Sequence, residues 1–185
     1  MVIVLMGVSG SGKTTVGKLL AEALGAEFVE GDAFHPPENI EKMRRGIPLD
    51  DTDRWPWLET LSAEIDRWHR AGKTVVLACS ALKQSYRDVL AKGRPGVRFM
   101  HLRGDESLLR ARLERRRGHY MPASLLASQI AALEEPADAL TVDVAGTPET
   151  IVSEILAKLP RQPVRTDRFG LADATDGQDT RDRKE

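Results

Sequence analysis

Five β-rich segments punctuate the chain at Val2–Met6, Glu27–Glu30, Thr74–Cys79, Val97–Leu102 and Leu140–Val144, and turn residues and then a stretch with helical spacing follow each one. Strand and helix signals that alternate in this way predict a parallel sheet, because parallel neighbours need a crossover connection that a helix supplies. The first helical pattern runs from Thr15 to Leu24 and stops at Gly25. The longest starts near Asp53, presents Leu58, Leu61, Ile65 and Trp68 at spacings of three and four, and stops at Ala71-Gly72. The last has Thr147 as N-cap and Pro148 at its first position, with Ile151, Ile155, Leu156 and Leu159 assigned to one face before Pro160 ends it. From Arg161 onward Arg, Asp, Gly and Thr alternate with few apolar residues, a composition that cannot bury enough surface to offset the entropy of ordering. The expected organisation is one domain over residues 1–160 and a disordered charged tail over 161–185, with no internal repeat.

Composition narrows the class. A chain of 185 residues with 41% hydrophobic residues supports one sizeable core. Its 27 basic side chains nearly balance 28 acidic ones, so no global field draws it to nucleic acid or anionic lipid, and any anion site must be local. The single cysteine, Cys79, sits in the apolar run Val75–Cys79, which suits a buried hydrophobe in a reducing compartment better than a disulfide, a metal ligand or a catalytic thiol. The run Val2–Met6 lacks a basic leader, and no apolar stretch approaches the roughly 18 residues of a membrane span. The expectation is a soluble cytoplasmic protein with no membrane and no nucleic-acid partner.

The strongest chemical signal is Gly7-Val-Ser-Gly-Ser-Gly-Lys13-Thr14, which matches G-x-x-x-x-G-K-[ST] between a β-rich run and a helical pattern. Glycines let the backbone wrap close to phosphate oxygens, successive N–H groups and the helix N-terminus face the anion, Lys13 reaches the β- and γ-phosphates, and the Thr14 hydroxyl meets Mg²⁺. The nucleotide-binding candidates are therefore Gly7, Ser9, Gly10, Ser11, Gly12, Lys13, Thr14 and Thr15, with ATP and Mg²⁺ as cofactors and Thr14 as the one metal ligand assigned. No base-reading N-K-x-D follows, and Asp143-Val-Ala-Gly146 matches D-x-x-G too late in the chain to sense a γ-phosphate, which disfavours a switch. The third strand ends in Cys79-Ser80 with no Walker-B aspartate, which disfavours a motor and leaves a second protein contact to Mg²⁺ undefined. After the second strand, GDAFHPPEN places Asp32 and His35 where open α/β sheets bind ligands, beside the phosphate loop. A carboxylate there can take or align a hydroxyl proton, so Asp32 is the candidate base of an alcohol kinase, and Pro36 holds the His35 backbone extended.

GVSGSGKT, GDAFHPPENIEKMRRGIPLDDTDRWPWL from Gly31 to Leu58, CSALKQSYRD from Cys79 to Asp88, and RRGHYMP from Arg116 to Pro122 together resemble the gluconokinases. These are small P-loop kinases related in fold to shikimate kinase and the nucleoside monophosphate kinases. The resemblance spans Val2 to about Leu159. It implies a three-layer α/β fold with a five-stranded parallel sheet, a mobile lid at about 112–125, a homodimer, and ATP-dependent phosphorylation of D-gluconate to 6-phospho-D-gluconate. A polyhydroxy carboxylate needs paired donors and acceptors and a cationic partner for its head. Asp32, His35 and Asp53 are candidates for the hydroxyls; Lys42, Arg54, Lys83 and Arg87 are candidates for the carboxylate and the transferred phosphate. Each also has a structural reading, as a helix cap for Asp32, a solvated face for Lys42 and Arg87, and a local ion pair for Arg54. In the lid, Arg116 and the catalytic candidate Arg117 would close over the phosphates, Arg112 would lie against adenine, and His119 and Tyr120 would meet the sugar acid or pack the closed lid. Gly146-Thr147-Pro148 would pass beside the base. The competing readings are a kinase for another small anionic alcohol such as shikimate, and a nucleotide-dependent regulatory or nucleic-acid-binding module that uses the Arg110–Arg117 cluster.

Removing residues 161–185 is expected to leave melting temperature and kinase turnover nearly unchanged, since a charged, apolar-poor segment adds little to a core. A clear drop in melting temperature on truncation would show that the tail docks.

Overall fold

The computed structural model describes residues 1–115 and 125–159. Most of the expected lid, from Arg116 to Ser124, and the whole of the expected tail lie outside the described residues. In chain order the elements are β1 (Val2–Met6), α1 (Lys13–Leu24), β2 (Glu27–Glu30), a 3₁₀ turn (Gly31–Phe34), α2 (Pro37–Arg44), α3 (Asp51–Arg70), β3 (Val75–Ala78), α4 (Gln84–Ala91), β4 (Val97–Arg103), α5 (Glu106–Arg115), α6 (Leu125–Ala132), β5 (Leu140–Asp143) and α7 (Pro148–Lys158).

The five strands form one parallel sheet in the order β2-β3-β1-β4-β5. All five expected strands are present, with β3 one residue shorter at each end, β4 extended through Arg103 and β5 ending at Asp143. Central β1 is buried along its whole length, and its period-2 alternation feeds two cores. Ile3 and Leu5 pack with Val16 and Leu20 of α1, Leu109 of α5, Leu126 of α6 and Ile151 and Ile155 of α7. Val2, Val4 and Met6 pack with Trp57, Leu58, Leu61, Ile65 and Trp68 of α3 and Tyr86 and Leu90 of α4. The result is the expected three layers. Each fully buried Leu or Ile contributes about 1.5–3 kcal/mol relative to exposure, so the sheet is anchored from both sides.

Two helices differ in detail from the sequence reading. Helix α3 begins at Asp51, because Asp50 and Asp53 form a reciprocal capping box that satisfies orphan amides of the first turn. In α7 the buried stripe is Ile151, Val152 and Ile155, whereas Leu156 is 36% exposed. One residue is 100° of rotation, and that step carries Leu156 out of the stripe in which it was expected. Thr147 and Pro148 occupy the N-cap and first positions as read.

Since all strands point the same way, the loops after β1, β2, β3, β4 and β5 open at one edge of the sheet. The order places the β1 loop between those of β3 and β4, at the reversal of strand order where ligands enter such sheets.

Candidate active site

The loop after β1 is the phosphate cradle by geometry as well as by sequence. Gly10 has φ 83, and a Cβ there would stand 2.8 Å from the Leu109 carbonyl oxygen of α5, so the loop can lie this close to α5 only with glycine. Gly12, in the left-handed region, is the N-cap of α1 and offers no side-chain cap to the first turn, an arrangement that suits an anion at the helix N-terminus. The Lys13 ammonium donates to the carbonyls of Gly7 at 2.9 Å and Val8 at 3.1 Å. Ser11 is fully buried in the loop, and Thr15 lies exposed on α1. The Thr14 hydroxyl donates to the Glu30 carboxylate at 2.8 Å, which sets two oxygen donors together at the ends of α1 and β2. The Ser9 amide donates to Oε1 of Gln129, from α6, at 2.7 Å.

Next to the cradle lies a cavity lined by Ser9, Lys13, Asp32, His35, Arg54, Ser80, Ser128 and Gln129, with Met43, Pro48, Leu49 and Leu125 as its apolar wall. Asp32 reaches it because the 3₁₀ turn presses onto β3: a Cβ at Gly31 would stand 2.6 Å from the Ala78 carbonyl oxygen, so only glycine permits the approach. The buried Trp57 indole donates to the Gly31 carbonyl at 2.8 Å and stacks on the His35 ring at 4.1 Å between centroids. Asn39 donates to the Asp53 carbonyl at 2.7 Å and meets His35 Nδ1 at 3.4 Å. An Asn amide nitrogen is only a donor, so Nδ1 accepts and the ring carries its proton on Nε2, free to act as a donor. Burial pushes the His35 pKa down to about 4, opposed by the negative charge of Asp32 and assisted by Arg54. His35 is thus a neutral hydrogen-bond donor near pH 7. Arg54 is held by a bond from Nε to the Leu49 carbonyl at 3.3 Å, with its guanidinium 5.8 Å from the centre of the Tyr86 ring.

Of the seven expected sugar-acid residues within the described chain, Asp32, His35 and Arg54 line this cavity; Lys42, Asp53, Lys83 and Arg87 do not. Lys42 donates to Asp53 at 2.6 Å and holds its carboxyl below the ordinary range, while the other Asp53 oxygen caps α3. Lys83 is paired to both oxygens of Asp51, at 2.7 and 2.9 Å, and the Tyr86 hydroxyl shares that carboxylate. Arg87 is buried, not solvated, and its guanidinium donates to the carbonyls of Ala81, Leu82 and Glu134 and to the Gln84 side chain. These side chains spend their charge on fastening loops. On the other flank, Arg112 donates to the Val144 carbonyl at 2.7 Å, which brings it to the turn that leads to Thr147 and Pro148. Thr147 accepts from the Thr150 amide, and Asp143 from the Ala145 amide, so the D-x-x-G match is a local turn. Arg116, Arg117, His119 and Tyr120 lie outside the described residues.

Sequence reasoning missed Glu30, Asn39, Trp57 and Gln129. Trp57 precedes Leu61 by four residues and could have been found on the predicted apolar face. Glu30 adjoins the GDAFH segment. Gln129, a neutral amide on a short apolar helix, carries no local signal. Cys79 behaves as expected, fully buried with its thiol pushed up to about 12 by that burial.

A family model described as "AAA domain" matches residues 2–136. The thermosensitive gluconokinase of Escherichia coli K12 is 51% identical over 133 residues, which cover 72% of this chain and 71% of that protein. The crystal structure of a gluconokinase from Sinorhizobium meliloti 1021 superposes with a TM-score of 0.74 at 52% identity, covering 84% of this chain and 89% of that one. Shikimate kinase from Aquifex aeolicus shares the fold, with a TM-score of 0.55 at 22% identity over 85% of this chain and 94% of that one. The chain belongs to the gluconokinase family of P-loop kinases.

Two expectations separate structural from chemical roles. Asp53→Ala removes the capping box and the Lys42 pair, so it should cost about 1 kcal/mol of stability while kcat changes by less than about threefold; a kcat loss of tenfold or more with little change in melting temperature would return Asp53 to the chemistry. The His35 ring should titrate by NMR near its depressed value of about 4 rather than at 6.5. Because the unfolded chain takes up that proton first, the stability contributed by neutral His35 is complete above pH 6.5 and is lost as pH falls toward about 4. A midpoint near 6.5 would show an accessible, solvated ring.

Proposed function

We propose that this chain transfers the γ-phosphoryl group of ATP to D-gluconate, giving 6-phospho-D-gluconate and ADP. The observation that carries the reading is that Lys13 of the phosphate cradle and Asp32, His35 and Arg54 of the second-strand region line one cavity. The backbone amides of the loop and the first turn of α1 receive the polyphosphate, and Lys13 offsets the charge that develops on the transferred group. Asp32 accepts the proton of the attacking primary hydroxyl, which couples bond formation to proton loss. His35 donates from Nε2 to a neighbouring hydroxyl, and Arg54 meets the carboxylate with a planar guanidinium.

Thr14 and Glu30 fit Mg²⁺, since this hard ion takes one or two protein oxygens and keeps water and phosphate oxygens as its other partners. When bound, Mg²⁺ neutralises charge on the phosphate oxygens. Glu30 supplies the second protein contact that the missing Walker-B aspartate left undefined, because its carboxylate already holds the Thr14 hydroxyl. Arg116 and Arg117 are assigned to the phosphates and His119 to the sugar acid on lid closure. Arg112 and the Thr147-Pro148 turn flank the adenine. The family likeness supports a homodimer, and the buried Cys79 thiol suits the cytoplasm.

An ADP-release assay over gluconate, other sugar acids, glucose, shikimate and AMP should give gluconate the highest kcat/KM, by at least about tenfold over glucose. Loss of the carboxylate strands Arg54, and a missing hydroxyl leaves Asp32 or His35 unpaired. Asp32→Asn should lower kcat by about 10²–10⁴ with ATP affinity largely retained. A preference for shikimate or AMP would sink the substrate assignment; a loss of less than a few-fold in the Asn variant would reduce Asp32 to a positioning group.

A further inference from the structure

Helix α6 has only eight residues, too few to hold a position by its own hydrogen bonds, so its placement depends on what it is fastened to. Leu125 and Leu126 are buried against the protein, and among the described residues polar contacts at Gln129 and Glu134 hold the rest. Within the helix, Gln129 accepts the Ser9 amide at 2.7 Å and is itself only 8% exposed. Just beyond the helix, the Glu134 amide donates to the Leu82 carbonyl at 2.9 Å, its side chain accepts the first amide of α4, from Gln84, at 2.6 Å, and its carbonyl accepts from Arg87 at 3.0 Å. The segment from Gln129 to Glu134 therefore spans from the phosphate cradle to the loop after β3, and Leu125, Ser128 and Gln129 form one wall of the cavity that holds Asp32.

We propose that Gln129 is a positioning residue for phosphoryl transfer: its contact with Ser9 sets the separation between the phosphate cradle and the wall against which the acceptor lies. This rests on the kinase reading above. Ser9 and Lys13 are the two cradle residues that line the acceptor cavity, so Ser9 is where the cradle and the acceptor wall meet. The Gln129 oxygen engages the Ser9 amide and leaves the cradle proper to the residues from Gly10 onward. A neutral amide suits this place. A carboxylate could accept the same hydrogen bond but would put a negative charge beside a polyphosphate. In-line transfer tolerates little error, and a displacement of about 1 Å between donor and acceptor can cost ~10²-fold in rate.

Gln129→Leu keeps the volume and removes the acceptor atom; Gln129→Glu keeps an oxygen at that place; Gln129→Met is a more flexible substitute should the Leu variant not fold. Each is compared with the wild-type protein for kcat, both KM values, melting temperature, and the ratio of ADP released to gluconate phosphorylated. The Leu variant should lose about 10- to 100-fold in kcat with KM values within about threefold, and a larger share of its ADP should come from hydrolysis. The Glu variant should recover several-fold of that kcat while raising the KM for ATP. The proposal is overturned if the Leu variant stays within about twofold of wild-type kcat, if its loss is confined to the KM for ATP, or if Glu is no better than Leu. Failure of the wild-type protein to phosphorylate gluconate would instead strike the functional reading, while the effect of Gln129 on whichever acceptor is used would still be measurable as a ratio to wild type.

Discussion

The constraint on which the rest depends is that five strands run parallel with both faces buried. Apolar side chains occupy both surfaces of β1 and β3, which leaves no room for polar chemistry on them, and every connection must return across a face as a helix. The carboxyl edge, where the helix N-termini begin, is left for the site. There the β1 loop delivers amides and Lys13, the β2 turn delivers Asp32 and His35, and β3 delivers Ser80. The sheet sets the distance from phosphate cradle to acceptor cavity through the spacing of β1, β3 and β2, which is why a mononucleotide site and an alcohol site become neighbours without any long loop between them.

Within that edge, rigidity comes from groups that never touch the substrate. Trp57 binds the Gly31 carbonyl with its indole N–H and lays its ring on His35, so one side chain of α3 fixes both ends of the turn that carries Asp32. Asn39 fixes the His35 tautomer and at the same time ties α2 to the Asp53 carbonyl. The pairs Lys42 with Asp53 and Lys83 with Asp51 lie around this core with substantial exposure, where ion pairs contribute about 0–1 kcal/mol, so their part is to hold α2 and α4 against the start of α3 more than to stabilise the fold. Pairing off these charges also leaves Arg54 as the cation of α3 that faces the cavity.

The strand count, the direction of the sheet and the phosphate loop were legible in the sequence because each has a short-range signature: period, turn residues, and glycines at fixed offsets. Asp32, His35 and Arg54 were legible as a group, but not separable from Lys42, Asp53, Lys83 and Arg87, since charge type and proximity in sequence say nothing about which face of a helix a side chain takes or which acid it meets. Arg87 illustrates this: it lies four residues from Lys83 on α4, yet its bonds go to carbonyls of two loops, one of them 47 residues away. Leu156 failed for a simpler reason, a stripe assigned one residue too wide. Glu30 and Gln129 act through partners 16 and 120 residues distant, and only the assembled fold brings those together.

How such a site transfers to an alcohol and not to water follows from the mixture of its lining. Met43, Pro48, Leu49 and Leu125 offer no hydrogen bonds, so water in the cavity has few partners there, while Asp32, His35 and Arg54 present a separated acceptor, neutral donor and cation. A sugar acid can satisfy all three with one rigidly held molecule, and the freedom it surrenders on binding is then not lost again at the transition state. A single water molecule is too small to occupy the cavity. It leaves part of this lining to whatever solvent the apolar wall admits, and is held in no fixed line with the phosphorus. Selectivity for transfer over hydrolysis is therefore a property of the whole cavity, and the side chains that set its shape, Gln129 on one wall and Trp57 behind the other, bear on it as directly as the base proposed at Asp32.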